Sequence, residues 1–250
     1  MGYHRITVFY KKLILFNVYI AIHTYINITM TITTISVEGN IGSGKTTLVN
    51  KIEDIVGKNS FNKKIIVLRE PVDMWSKVYN TETGENILQA FYRDSKTFAF
   101  PFQTLVFNTR LIEYKRIIRD NPDCDIIFCE RSLESDSNIF AKMLYDDGLI
   151  DNMSYQVYRH LYNDSKTEFP VDKVLFMDVD PQICDSRIKQ RGRVGEESIP
   201  LNYLEKCHKY HIDWLKRESS ATLPYEIMDV ASLQIDINDE STIINWLSSL

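Results

Sequence analysis

The sequence is poor in thiols and pairs none of them. Its four cysteines, Cys124, Cys129, Cys184 and Cys207, form no C-x-x-C. That argues against a structural zinc site and a disulfide framework, and for a reducing compartment. Basic charge is not in excess: 29 Lys and Arg stand against 34 Asp and Glu, a net charge of −5. Sequence-independent nucleic-acid binding rests on clustered Lys and Arg, so no nucleic-acid partner is expected. There is no low-complexity tract and no internal repeat. A long apolar run is also missing. The stretch Leu13 to Ile22 is interrupted by Asn17 and soon followed by His23 and Asn27, whereas a span needs about 20 apolar residues. No small-x-small cleavage site is evident. The start "MGYHRI" has Ile6 where myristoylation wants Ser or Thr. Residues 1–29 are therefore a leader (mitochondrial or other), a weak anchor or an apolar extension outside the core. Met30 stands directly before the first strand, which favours the extension, a folded domain over 30–250, no membrane association and a cytoplasmic location.

What is present is a chain of 250 residues, 44% of them hydrophobic, enough for one α/β domain with a sizeable core. Five short runs rich in β-branched residues read as strands: "TITTISV" (31–37), "KIIVL" (64–68), "DIIFC" (125–129), "KVLFMDV" (173–179) and "LQIDI" (233–237). Near-continuous apolar strands suit a sheet covered on both faces. Helical patterns lie between them, at 45–58 with Gly57 as its C-cap, at 102–120 with Pro101 at its start, and at 201–217. The alternation predicts a doubly wound, five-stranded parallel sheet. Ligands bind beyond the carboxyl ends of such strands.

After the first strand comes "GNIGSGKT" (39–46), a G-x-x-x-x-G-K-[ST] without mismatch. The chain is thus expected to have the P-loop NTPase fold. In such a loop Gly39, Asn40, Ile41, Gly42, Ser43 and Gly44 aim backbone N–H groups at phosphate oxygens, with Lys45, Thr46 and Thr47 opening the next helix. Lys45 reaches the β- and γ-phosphates, and the Thr46 hydroxyl suits Mg²⁺. After the second strand, "REPVDMW" places Glu70 where it can take a proton from an attacking hydroxyl. A strand-end surface carboxylate is the plainer alternative. After the third, "CERS" offers Glu130 for the metal's surroundings and Arg131 for the reacting groups, or a mere local ion pair. "RIKQRGRVGEESIPL" carries Arg187, Arg191 and Arg193 around Gly192. Three guanidiniums make a lid for transferring phosphate, near 187–198, unless they are a solvated helix end.

A GTPase switch needs a D-x-x-G after its own strand, but the only one, "DIVG" (54–57), lies on the helix after the phosphate loop. "NKKI" lacks the Asp of a guanine-reading motif, and no "LSGGQ" appears. A basic lid beside a pocket of carboxylate and aromatic residues points instead to a small-molecule kinase.

The stretches "EGNIGSGKTTL", "EPVDMW", "ILQAFYRD", "FAFPFQTLVFNTR", "CERSLESDSNIFAKMLY" and "RGRVGEESIPLNYLEKCHKYHIDWL" resemble, in order and spacing, the deoxynucleoside kinases. That family includes the deoxycytidine, deoxyguanosine and mitochondrial-type thymidine kinases. The resemblance runs from about Ile35 to about Asn238. It implies ATP and Mg²⁺ as cofactors, with Glu70 as base for the 5′-hydroxyl, Arg131 beside that hydroxyl and Glu130 near the metal. It places Tyr92 and Glu196 at the 3′-hydroxyl, Phe102 and Phe140 around the base, Trp75 and Leu88 at its rim, and Gln103 on the base edge. It also implies a homodimer, for which the helices starting near Phe102 and Ser135 are candidates. Ser241, in "DINDEST", stands where an aromatic is expected, which leaves the phosphate donor open. Arg110 and Asp136 are expected as partners at the deep end of the base pocket, disfavouring thymidine against deoxycytidine or a purine deoxynucleoside. Rival readings are a nucleoside monophosphate kinase of the thymidylate type and an inactive P-loop binding module.

Overall fold

The computed structural model describes residues 32–193, 195–196, 199–215 and 223–250. The expectations for residues 1–29, and for part of the lid near 187–198, lie outside them. Residues Thr33–Leu250 form one compact unit. Its elements follow in order: β1 (Thr33–Gly39), α1 (Lys45–Lys58), β2 (Ile65–Leu68), α2 (Val72–Trp75), α3 (Ile87–Arg93), α4 (Ser95–Asp120) and β3 (Ile126–Glu130). A short α5 (Leu133–Ser135), a π-helical turn (Asp136–Ala141) and α6 (Lys142–Asp146) follow. Then come α7 (Asn152–Ser165), β4 (Lys173–Met177), α8 (Pro181–Arg191), α9 (Leu201–Leu215), β5 (Glu226–Asp229) and α10 (Glu240–Ser249). Among the described residues no helix is long and apolar enough to cross a membrane.

The strands form one parallel sheet in the order β2-β3-β1-β4-β5. Alternation along each strand feeds two cores. On β4, Leu175 and Met177 join Ile35, Val37, Leu48, Ile52 and Trp246 on one face. Val174 and Phe176 join Met143, Cys207 and Trp214 on the other. Burial on both faces explains why these strands read as unbroken apolar runs.

Register positions the site. Val37 stands beside Glu130, and Leu68 beside Cys129. The carboxyl ends of β1, β2 and β3 therefore lie at one level, and three distant segments bring Glu38, Glu70 and the adjacent Glu130 and Arg131 together there.

Three local expectations need correction. The fifth strand is Glu226–Asp229, not 233–237. Gln234 has φ 56°, a left-handed backbone that no strand accepts, and the Asp229 carboxylate ends β5 by accepting from Ala231 N. Ile235 is nonetheless buried, so the apolar pattern of "LQIDI" records packing from a loop. Helix α4 begins seven residues before Phe102, capped by Asp94, and Pro101 lies inside it. The proline removes one helical donor, which burial of Ala99, Phe102 and Val106 outweighs. Helix α1 runs past Gly57 to Lys58, and Asn59 closes it with both its backbone and its side chain on Ile55 O.

Candidate active site

The phosphate loop joins β1 to α1 through three left-handed glycines, Gly39, Gly42 and Gly44. At two of them a side chain has no room. A Cβ on Gly39 would lie 2.7 Å from Met177 O, and one on Gly42 would lie 2.6 Å from Cys184 O. The loop is thus pressed onto β4 and α8. Asn40 ties it to α9 by donating to Leu204 O at 2.9 Å, and Arg187 donates to Ser43 O at 3.0 Å. Lys45 lies folded against the loop, donating to Gly39 O and Asn40 O. Burial, and then the charge of Arg131, push its ammonium down to about 7. The Thr46 hydroxyl donates to Glu130 Oε1 at 2.6 Å. Two oxygen ligands suited to a hard cation therefore meet at the helix start.

Beside the loop opens a cavity of about 290 Å³. Its apolar end is built from α2, α3, α4 and the π-helical turn. Trp75 is fixed by its Nε1, which donates to Thr109 Oγ1 at 3.0 Å. Its ring meets Phe102 edge-on at 5.6 Å, and Phe91 stacks on Phe102 at 4.9 Å. Phe140 faces them from the π-helical turn, a distortion frequent where a helix must aim a side chain into a site. Gln103 is buried there, and its Oε1 has no hydrogen-bond partner.

Charge is concentrated between the apolar end and the phosphate loop. Arg110 is buried, donating through Nε to Asp136 Oδ2 at 2.8 Å, through NH1 to Glu130 O at 2.8 Å and through NH2 to Glu70 Oε1 at 3.1 Å. Burial opposes the Arg110 charge, but Asp136 and Glu70 outweigh it and raise its pKa. Burial likewise pushes the Glu70 carboxyl up, yet Arg110, Arg131 and Lys45 together hold it below its usual range. Glu70 is thus a carboxylate at neutral pH with one side still open to solvent. The Arg131 guanidinium lies 4.6 Å from the centre of the Phe140 ring, with Nε 3.6 Å from Glu70 Oε1. On the far side, Glu196 pairs with Arg191 and, at 3.0 Å, with Arg193. Tyr92 stands near Glu196; burial and then that carboxylate raise its phenol pKa.

Most residues singled out from the sequence line this cavity: Ile41, Gly42, Gly44 to Thr47, Glu70, Trp75, Leu88, Tyr92, Phe102, Gln103, Glu130, Arg131, Asp136, Phe140, Arg187, Arg191, Arg193 and Glu196. Gly39, Asn40 and Ser43 shape the loop from behind. Arg110 stands behind Asp136 and Glu70 rather than at the cavity wall. Three participants escaped the sequence reading. Phe91 and Tyr203 line the cavity; Phe91 was signalled only by sharing a helical face with Leu88. Glu38 is fully buried under the loop. A lone carboxylate inside the apolar strand "TTISVEG" was the signal for it.

A phosphate loop and an aromatic-lined pocket, with Glu70 and Arg131 between them at the edge of a 2-3-1-4-5 parallel sheet, define a P-loop kinase of a small molecule. The deoxynucleoside kinase family model matches residues 35–250, and the chain belongs to that family. It is 31% identical over 217 residues to a probable deoxycytidine kinase of Fowlpox virus (strain NVSL), covering 84% of this chain and 85% of that protein. It is 30% identical over 225 residues to the deoxycytidine kinase of Homo sapiens, covering 82% and 84%. It is 27% identical over 228 residues to a mitochondrial deoxyguanosine kinase of Xenopus laevis, covering 84% and 83%. The protein is a phosphotransferase acting on deoxynucleosides.

Proposed function

We propose that the chain transfers the γ-phosphoryl group of ATP to the 5′-hydroxyl of a deoxynucleoside with Mg²⁺, and prefers deoxycytidine or a purine deoxynucleoside to thymidine. The observation that carries the reading is the contact of one guanidinium, that of Arg110, with both Glu70 and Asp136. It joins the proton acceptor to the deep end of the base pocket.

The residues fit a triphosphate and its metal. Gly39, Gly42 and Gly44 turn the loop through positive φ, the glycine-rich backbone from which N–H groups cradle phosphate at a helix start. Thr46 and Glu130 supply the oxygens near which Mg²⁺ would sit, where it neutralises phosphate charge. Phe102 and Phe140 enclose the base, Gln103 reads its edge, and Tyr92 with Glu196 holds the 3′-hydroxyl. Glu70 accepts the 5′-proton as the new O–P bond forms and the bond to the departing diphosphate breaks. Arg131 and the lid residues Arg187, Arg191 and Arg193 stabilise the transferring charge. Asp136 with Arg110 disfavours thymine, because a methyl against an ion pair gains no apolar contact and strips water from both charges. The relatives are named for deoxycytidine and deoxyguanosine, which supports the choice of substrate class. An assay of each nucleoside and each nucleoside monophosphate with ATP tests it. Phosphorylation of thymidylate alone would favour the monophosphate kinase, and no phosphorylation would favour the binding module.

The same reading includes a homodimer through α4 and α7. Met153, Val157 and Leu161 form an exposed apolar stripe at four-residue spacing on α7, and Ile112 on α4 is also exposed. The segment beginning at Ser135 is buried instead. Sedimentation of Val157→Glu checks this: the variant is expected as a monomer.

A further inference from the structure

We propose that Glu38 is a positioning residue that holds the Arg131 guanidinium in its working orientation. The proposal rests on the reading of Arg131 as a group beside the reacting hydroxyl.

A carboxylate buried in the central strand is costly unless something answers its charge. Glu38 is fully buried, and only one of its oxygens is satisfied. Its Oε1 accepts from Ser36 Oγ at 2.5 Å and from Ser132 Oγ at 2.7 Å. Its Oε2 has no hydrogen-bond partner, and neither has Arg131 NH1. These two orphan groups face one another at 4.0 Å.

The arrangement gives Arg131 three restraints. Its backbone has φ 66°, rare for a side chain of that size, and its N–H donates to Val37 O at 3.1 Å. Its guanidinium carbon lies over the Phe140 ring, 4.6 Å from the centre. Glu38 and Glu70 then take opposite ends of the group, NH1 and Nε. A ring face attracts a cation without fixing its rotation, and Glu70 at Nε alone is a pivot. The second carboxylate supplies the missing constraint. The two serines brace it, and Ser132 is itself held because its Oγ also accepts from Ser135 N as the cap of α5. Glu38 does not line the cavity, so its influence passes through Arg131.

Glu38→Gln keeps the shape and an acceptor for both serines but removes the charge facing NH1. Turnover is expected to fall on the order of 10-fold or more, as when a supporting partner of a functional group is lost, with KM for either substrate within about 3-fold. A double-mutant cycle with Arg131→Ala separates positioning from mere structure. Glu38→Gln is expected to add nothing in the Arg131→Ala background. Unchanged turnover in Glu38→Gln, or a loss that multiplies with that of Arg131→Ala, overturns the proposal. Normal turnover in Arg131→Ala would instead sink the reading of Arg131 on which it rests. If Glu38→Gln does not fold, Ser36→Ala takes its place. It removes one brace and is expected to cost a few-fold in turnover, again only while Arg131 is present. No loss with Ser36→Ala then overturns the proposal.

Discussion

Glu70 Oε1 lies 3.1 Å from Arg110 NH2, although the two residues are forty positions apart in the chain. Arg110 reaches Glu70 from α4 while its Nε is held by Asp136. The group proposed to take the proton and the pair proposed to select the base therefore share one cation. Selectivity and chemistry are coupled, and changing one disturbs the other.

Arg110→Met combined with Asp136→Ala is expected to raise thymidine use relative to deoxycytidine, in proportion to a contact worth about 10- to 100-fold. It is also expected to move the acid limb of turnover to higher pH. Arg110 is the foremost cation lowering the Glu70 pKa. Without it, burial pushes the carboxyl upward, so protonation inactivates the base at a higher pH. Profiles of kcat against pH for both enzymes measure this. Thymidine preference in the unaltered enzyme would refute the selectivity argument, and an unmoved limb the coupling.

Glu70→Gln is expected to lower turnover on the order of 10²-fold or more while deoxynucleoside binding changes little. The amide keeps the shape and cannot accept the proton. Near-normal turnover would remove Glu70 from the mechanism.

Lys45 gives a proton-linked prediction. With its ammonium pushed down to about 7, the free protein holds it mostly neutral at pH 8. Triphosphate oxygens beside it favour the charged form, so ATP binding at pH 8 is expected to take up a proton, and less of one at pH 6. Calorimetry in buffers of different ionisation enthalpy reads the uptake, and Lys45→Met abolishes it. Buffer-independent heat at pH 8 would show that Lys45 keeps its proton throughout.

Two glycines of neighbouring segments should respond oppositely to alanine. Gly42 has φ 79°, and its Cβ would meet Cys184 O at 2.6 Å. Gly42→Ala is expected to cost about 1–3 kcal/mol and to weaken ATP binding. Gly57 lies in α1 with nothing within 4 Å of its Cβ, so Gly57→Ala should stabilise by about 0.5–1 kcal/mol with unchanged turnover. Urea midpoints of the two variants decide it; shifts of the same sign would contradict the packing argument.

The sequence alone determined whatever depends on local spacing. "GNIGSGKT" defined the phosphate loop, since glycine freedom and the following Lys and Thr act within one turn. Alternating apolar runs defined the parallel sheet, because burial on both faces leaves an unbroken pattern. Arg110 and Asp136 are expected as partners only through the resemblance to the deoxynucleoside kinases, since no local spacing rule joins residues twenty-six positions apart. Tertiary structure decided what depends on register and on burial from several elements at once. Nothing local in "LQIDI" reveals that Gln234 is left-handed, or that Ile235 packs from a loop while "EIMD" takes the sheet edge. The role of Glu38 could not be read either. Its carboxylate has meaning only because β1 and β3 pair with Val37 beside Glu130, which brings Ser132 and Arg131 around it. The field at Glu70 is likewise a sum over α4, β3 and the phosphate loop, and only the folded chain assembles it.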